Sequence, residues 1–342
     1  MTQNAEIKFR KDDYFKIDPE AHLIGDLTPI QHFPGVQMWW KGAHGALRAL
    51  TMGMPPTALE GMEKRETEKN PEPEALIAAM DKYGVDVACL LPESMMDTTL
   101  YSSRWVTNGD MAKVVEAHPK RFMYQPNMSP IKQRGVKHAV WELEYWAKEK
   151  AAKIFKYYPP EDTYINDADL WPFYEKAQEL GIVLDFHTGF SWVPPGKGKY
   201  AMPHLLDDVA RDFPELKIVA FHMGYPRCDD LNMVAMGHPN VYLSLSLLVP
   251  WALSAPRKFA KILGEGLRFA GPDRIVWGTD YAGFPMQIKF AVEGLRDFQF
   301  PEDMREEYGY PEITDEMRRK IFGANLAGLL GINCKKRLAA NA

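Results

Sequence analysis

Holding a metal ion takes side chains that bring lone pairs to one point, and this chain carries such side chains at four widely separated places. Glu20 and His22 stand in Ile17-Asp18-Pro19-Glu20-Ala21-His22, His187 in Phe186-His187-Thr188-Gly189, His222 in His222-Met223-Gly224-Tyr225-Pro226, and Asp280 in Trp277-Gly278-Thr279-Asp280. In extended backbone, residues two apart point the same way, so Glu20 and His22 share a face. Two carboxylates, Glu20 and Asp280, with two imidazoles, His22 and His187, suit zinc, and the oxygen-rich share also admits manganese. One divalent ion, Zn2+ or Mn2+, is therefore the expected cofactor. Taken singly, each residue has an ordinary explanation: a histidine satisfied in a core, or an aspartate forming a turn after Gly-Thr. Their joint placement argues for a common purpose. His32, His44, His118, His138, His204 and His238 have no comparable setting, and His118 and His238 each precede proline, which points to turns.

These groups can act together only if a fold brings strand ends to one place. Short β-type segments recur along the chain at Tyr14–Asp18, Val85–Leu91, Arg121–Pro126, Lys153–Tyr158, Ile182–His187, Ile218–His222, Val241–Ser244 and Ile275–Gly278. Helical patterns lie between them at Pro73–Lys82, Asn108–His118, Val136–Lys150, Trp171–Leu180, His204–Asp212 and Asp229–Met236. The stops Lys82-Tyr83-Gly84 and Ala117-His118-Pro119 use glycine and proline, as helix ends do. This alternation predicts an α/β chain folded as one (β/α)8 TIM barrel, with 1–342 a single domain. Reactive groups in such barrels sit at the C-terminal ends of strands. The first, fifth, sixth and eighth segments lead there to Glu20 and His22, His187, His222 and Asp280. The first strand is expected to stop at Asp18, with Pro19 opening the loop that carries Glu20 and His22. The stretch 23–71 is too long for an ordinary connection and carries Met38, Trp39, Trp40, Met52 and Met54, so it is expected to be a lid or pocket wall.

These marks resemble the amidohydrolase superfamily, in particular its branch of metal-dependent aromatic decarboxylases and related hydrolases. The resemblance runs from Ile17 to about Leu330 and includes His238-Pro239-Asn240-Val241-Tyr242 and a terminal Ile321-Phe322-Gly323-Ala324-Asn325-Leu326. The usual opening has histidine at the position of Glu20; the glutamate is similar to the variant in resorcylate-type and carboxyvanillate-type decarboxylases. The resemblance implies non-oxidative decarboxylation of an aromatic or unsaturated carboxylic acid. A metal would chelate the carboxylate and an adjacent hydroxyl, a protonated Asp280 would supply a proton to the ring carbon, and His222 would act on the substrate oxygen beside the ion, not as its ligand. It implies a single ion without a carbamylated lysine, although Lys156 lies on the fourth strand. Arg227, Arg48 and Arg104 are candidates for a second carboxylate or a phenolate, since a guanidinium fork fits either. Trp39, Trp192 and Tyr225 are candidate aromatic walls. The competing reading is a hydrolase or hydratase acting on a cyclic or aromatic small molecule through metal-activated water. A non-catalytic binding barrel is the third, and the intact Asp280 and His222 argue against it.

Composition limits the partners. The 342 residues are 46% hydrophobic and 25% charged with a net charge of -5, which offers no basic footprint for nucleic acid or an anionic membrane. Met1 to Lys16 alternates polar and charged residues, and no apolar run nears the roughly 20 residues that span a bilayer. A cytoplasmic protein acting on a small-molecule carboxylate is expected. Three scattered cysteines, Cys89, Cys228 and Cys334, suit reduced structural thiols. The resemblance implies a homodimer or higher homo-oligomer, and the apolar stretch Leu247–Leu253 is a candidate for a subunit contact or a substrate cover.

Overall fold

Strands with apolar residues on both faces must be covered on both faces, which favours a parallel sheet wrapped by helices. The computed structural model describes residues 12–23, 34–54, 73–92, 106–191, 196–282 and 285–334. Its strands are β1 (Ile17–Leu23), β2 (Val87–Pro92), β3 (Phe122–Tyr124), β4 (Ile154–Tyr157), β5 (Val183–Phe186), β6 (Lys217–Ala220), β7 (Val241–Ser244) and β8 (Ile275–Val276). They pair in parallel as β1-β2-β3 and as β4-β5-β6-β7-β8. Two single bridges join the sheets, Asn127 to Lys156 and Ala21 to Tyr281. At the first, Lys156 N–H donates to Pro126 at 2.9 Å and Met128 N–H to Lys156 at 2.8 Å; at the second, His22 N–H donates to Tyr281 at 2.8 Å and Tyr281 N–H to Glu20 at 3.1 Å. The fold is the expected (β/α)8 barrel, with its ladder narrowed to one bridge at two seams.

After β1 come α1 (Pro34–Thr51) and α2 (Pro73–Tyr83), then α3 (Asn108–Ala117) after β2, α4 (Val136–Lys148) after β3, α5 (Trp171–Glu179) after β4, α6 (Leu206–Asp212) after β5 and α7 (Cys228–Gly237) after β6. The short α8 (Trp251–Ser254) and α9 (Pro256–Ala270) follow β7, and α10 (Pro285–Arg296), α11 (Glu302–Tyr308), α12 (Asp315–Arg319) and α13 (Asn325–Leu330) follow β8. Among the described residues no helix is long and apolar enough to cross a membrane.

Period-2 alternation sorts the strand residues into two cores. Phe155, Tyr157, Leu184 and Phe186 face outward into the layer under the helices. Ile17, Val87, Ile154, Val183, Val219 and Val276 face inward and pack on Leu326, Ala327 and Leu330 of α13, which closes the N-terminal end. Lys153 Nζ donates to the Leu330 carbonyl at 2.8 Å and Lys217 Nζ to the Leu329 carbonyl at 3.3 Å, placing cations where the helix dipole favours them.

One expectation changes. β1 does not stop at Asp18 but continues to Leu23, with an irregular register between Asp18 and Ala21; Pro19 is tolerated because a bulge relaxes the demand for its missing N–H. Within 23–71, α1 is a helix whose end is tied to α8: Trp251 Nε1–H donates to the Ala49 carbonyl at 3.2 Å and Ser254 Oγ–H to Leu50 at 2.8 Å. Residues 24–33 and 55–71 of that stretch lie outside the described residues. The apolar run before and in α8 is mostly internal, since Leu248, Val249 and Trp251 are buried and Leu253 is exposed.

Candidate metal centre

The extension of β1 carries Glu20 and His22 onto the barrel's C-terminal mouth, opposite Asp280 beyond β8. One donor atom from each of Glu20, His22 and Asp280 lies within 4.8 Å of the other two. His22 Nε2–H donates to Asp280 Oδ1 at 2.9 Å and stands 3.9 Å from Glu20 Oε1. The two strand ends are strapped together by buried Asp18, whose Oδ1 accepts from the N–H groups of Glu20 at 3.1 Å and Thr279 at 3.0 Å, and whose Oδ2 accepts from the Thr279 hydroxyl. Burial pushes the Asp18 carboxyl up to about 7, against the pull of those hydrogen bonds. Asp280 adopts φ 53°, a left-handed conformation uncommon for a non-glycine residue. Its carbonyl accepts from Gln287 Nε2 at 2.9 Å.

His187 and His222 arrive on two loops that cross backbone to backbone. Thr188 Oγ1–H donates to the Phe221 carbonyl at 2.6 Å, and Phe190 N–H donates to Tyr225 at 2.9 Å. A Cβ on Gly189, at φ +88°, would lie 2.1 Å from the Tyr225 carbonyl oxygen, which explains the glycine after His187-Thr188. The imidazole rings lie 4.8 Å apart, centre to centre, and the Tyr158 ring lies 4.8 Å from that of His187. His222, itself at φ 60°, pairs Nδ1 with the Ser246 carbonyl at 3.2 Å and holds Nε2 3.8 Å from Glu20 Oε1.

Beneath this ring of donors the inward positions are charged. Lys156 of β4 sits 2.8 Å from Glu20 Oε1 and 3.2 Å from Asp185 Oδ1, and Asp185 also accepts from Gln125 Nε2. Burial opposes the lysine's charge, but Asp185 and Glu20 outweigh it and hold the ammonium. Asp185 is pushed up to about 7, first by burial and further by Glu20, with Lys156 resisting. Burial and then the neighbouring charges of His222, Lys156 and His22 drive His187 well below the usual imidazole range, so it stays neutral. Burial alone would raise Asp280, but its hydrogen bond from His22 and the charges of His22, His222 and Lys156 bring it below the usual carboxylate value.

These residues fit a divalent ion. Two carboxylates and an imidazole converge, and the buried Nε2 of the neutral His187 has no hydrogen-bond partner among the described residues, a state that lone-pair donation to a cation would relieve. An ion would replace the proton shared by His22 and Asp280. His187 is not within the 4.8 Å set, and its place is beside His222.

The expected substrate contacts fare differently. The Arg227 side chain is 64% exposed and 3.9 Å from Asp230, which turns it to solvent. Arg48 is exposed near the end of α1. Tyr225 is half-buried against Trp251, ring centres 4.9 Å apart, with Lys258 Nζ 4.9 Å from its own centre. Arg104 and Trp192 lie outside the described residues, as does the side chain of Trp39 in α1. Sequence reasoning gave Asp18, Asp185, Gln125, Ser246 and Tyr158 no site role and left Lys156 without one. The signal for Lys156 and Asp185 was present, because a charged residue inside a buried strand such as Ile-Phe-Lys-Tyr or Val-Leu-Asp-Phe demands a partner.

A family model described as amidohydrolase matches residues 17–332. A curated relative, protein fluG of Emericella nidulans, is 31% identical over 114 residues, which is 33% of this chain and 13% of that protein. Among solved structures, an uncharacterised TIM-barrel protein from Bordetella bronchiseptica has a TM-score of 0.64 at 22% identity, covering 92% of this chain and 98% of its own. A dihydroxybenzoic acid decarboxylase from Polaromonas sp. JS666, with bound manganese and the inhibitor 2-nitroresorcinol, has a TM-score of 0.63 at 17% identity, covering 95% and 99%.

Proposed function

Because the chain belongs to the amidohydrolase family, we propose that it is a metal-dependent decarboxylase that releases carbon dioxide from an aromatic or unsaturated carboxylic acid. The observation that carries this reading is the convergence of Glu20, in place of the superfamily's usual histidine, with His22 and Asp280 on the barrel mouth. The manganese and nitroresorcinol named for the Polaromonas decarboxylase support it. Glu20, His22, Asp280 and His187 would hold one zinc or manganese ion. That ion would neutralise a substrate carboxylate and its neighbouring hydroxyl and fix the ring's orientation.

The chain's own side chains handle the proton. His222 donates Nδ1–H to the Ser246 carbonyl, which leaves Nε2 as the nitrogen that faces the mouth. That nitrogen accepts a hydrogen bond from the substrate's phenolic O–H and drives electron density into the ring. Asp280, whose carboxyl His22 holds below the usual value until an ion displaces that hydrogen bond, would in its protonated form deliver a proton to the ring carbon bearing the carboxylate. The carbon–carbon bond then breaks, its electron pair restores the aromatic ring, carbon dioxide leaves, and Asp280 recovers a proton from solvent.

The test measures carbon dioxide against hydrolytic product over a panel of hydroxybenzoates, lactones and amides. Decarboxylation of one hydroxybenzoate, reduced about 100- to 10,000-fold in Asp280→Asn while that variant still binds the substrate, is the expected result. Hydrolysis of a lactone or amide without carbon dioxide release, or full activity in Asp280→Asn, overturns the proposal.

A further inference from the structure

Both oxygens of Glu20 are engaged from below. Lys156 Nζ–H donates to Oε1 at 2.8 Å and Ser246 Oγ–H donates to Oε2. Oε1 is also the oxygen turned toward the mouth, 3.9 Å from His22 Nε2 and 3.8 Å from His222 Nε2. A carboxylate oxygen has two lone-pair directions. With one of them on Lys156, Oε1 has one left for anything bound among the imidazoles.

The two anchors are themselves fixed. Lys156 is 3% exposed, its Nζ also lies 3.2 Å from Asp185 Oδ1 and 3.8 Å from the centre of the Phe221 ring, and Asp185 is held by Gln125. Ser246 N–H donates to Ser244 Oγ at 3.2 Å while its carbonyl pairs with His222 Nδ1. One serine therefore orients both Glu20 and His222.

Resting on the metal-dependent reading above, we infer that Lys156 and Ser246 are positioning residues that clamp Glu20 by its two oxygens, so that it meets a divalent ion as a single-oxygen ligand in a set direction. A long carboxylate side chain loses rotamer freedom on binding an ion, and a clamp removes that loss in advance.

The experiment titrates Zn2+ into the metal-stripped full chain by competition with a chromophoric chelator. It compares wild type, Lys156→Met, Ser246→Ala and Lys156→Gln, well below each protein's unfolding transition. Lys156→Met weakens zinc about 10- to 100-fold, Ser246→Ala weakens it less, and Lys156→Gln, which keeps an N–H donor, recovers part of the lysine's effect. Wild-type affinity in either folded Lys156→Met or Ser246→Ala overturns the clamp while leaving the metal reading in place. Should Lys156→Met not fold, Ser246→Ala alone decides. Failure of the wild type to bind zinc overturns both.

Discussion

The two ends of this barrel are made by one alternation of side chains and put to opposite uses. At the floor, Ile17, Val87, Ile154, Val183, Val219 and Val276 meet the apolar face of α13. Two residues further along, the inward positions of β4 and β5 are Lys156 and Asp185, and the mouth above gathers Glu20, His22, His187, His222 and Asp280. Left-handed, non-glycine backbone occurs at His222 and Asp280 in the mouth, while the floor strands run in plain parallel register. The contrast teaches where each kind of free energy resides. Floor contacts stabilise the fold, whereas the mouth holds the buried His187 Nε2 without a hydrogen-bond partner among the described residues, left-handed backbone and opposed charges.

The comparison breaks most sharply if metal content does not depend on the mouth. About one zinc or manganese per chain is expected in purified wild type by elemental analysis, and none in Glu20→Ala or Asp280→Ala prepared identically. Two ions per chain would favour the hydrolase reading, and undiminished metal in the variants would remove the centre from these residues. Next in size is a floor variant. Leu326→Ala opens a cavity beneath the strands and should lower stability by about 2–5 kcal/mol in denaturant unfolding, with zinc affinity unchanged in the folded protein. A parallel loss of affinity would mean that the two ends are coupled.

The smallest effect concerns a charge near the floor. Asp86 accepts from Lys16 N–H at 2.8 Å, and burial pushes its carboxyl above the ordinary 3.8 despite that hydrogen bond and the charges of Lys16 and Arg121. The folded protein thus keeps this proton where the unfolded chain has lost it. The group's contribution to stability is full below pH 3.8 and declines as pH rises through the raised value. Asp86→Asn should flatten that part of the melting-temperature profile and leave metal content alone; an unchanged slope would show that the buried carboxyl is not perturbed.

Much of this was legible in the residues. Eight β segments with helices between them announced the barrel, and Glu20, His22 and Asp280 were readable because metal-binding types fell at the ends of such segments. Strand β1 was misjudged because Pro19 reads as a stop, while in the structure an irregular register carries it inside the strand. The setting of Arg227 could not be read, because its distance in sequence from His222 says nothing about direction; its side chain is 64% exposed, 3.9 Å from Asp230.

The periodicity, the kinds of donor and the strand ends that carry them are therefore written in residues close along the chain. Only the tertiary structure decided that Lys156 reaches Glu20 across 136 positions, that Ser246 reaches it across 226, and that Asp18 straps itself to Thr279 across 261. Those contacts join strands whose lateral order and stagger are set by packing of the whole barrel, and no local pattern encodes which inward side chains then share a layer.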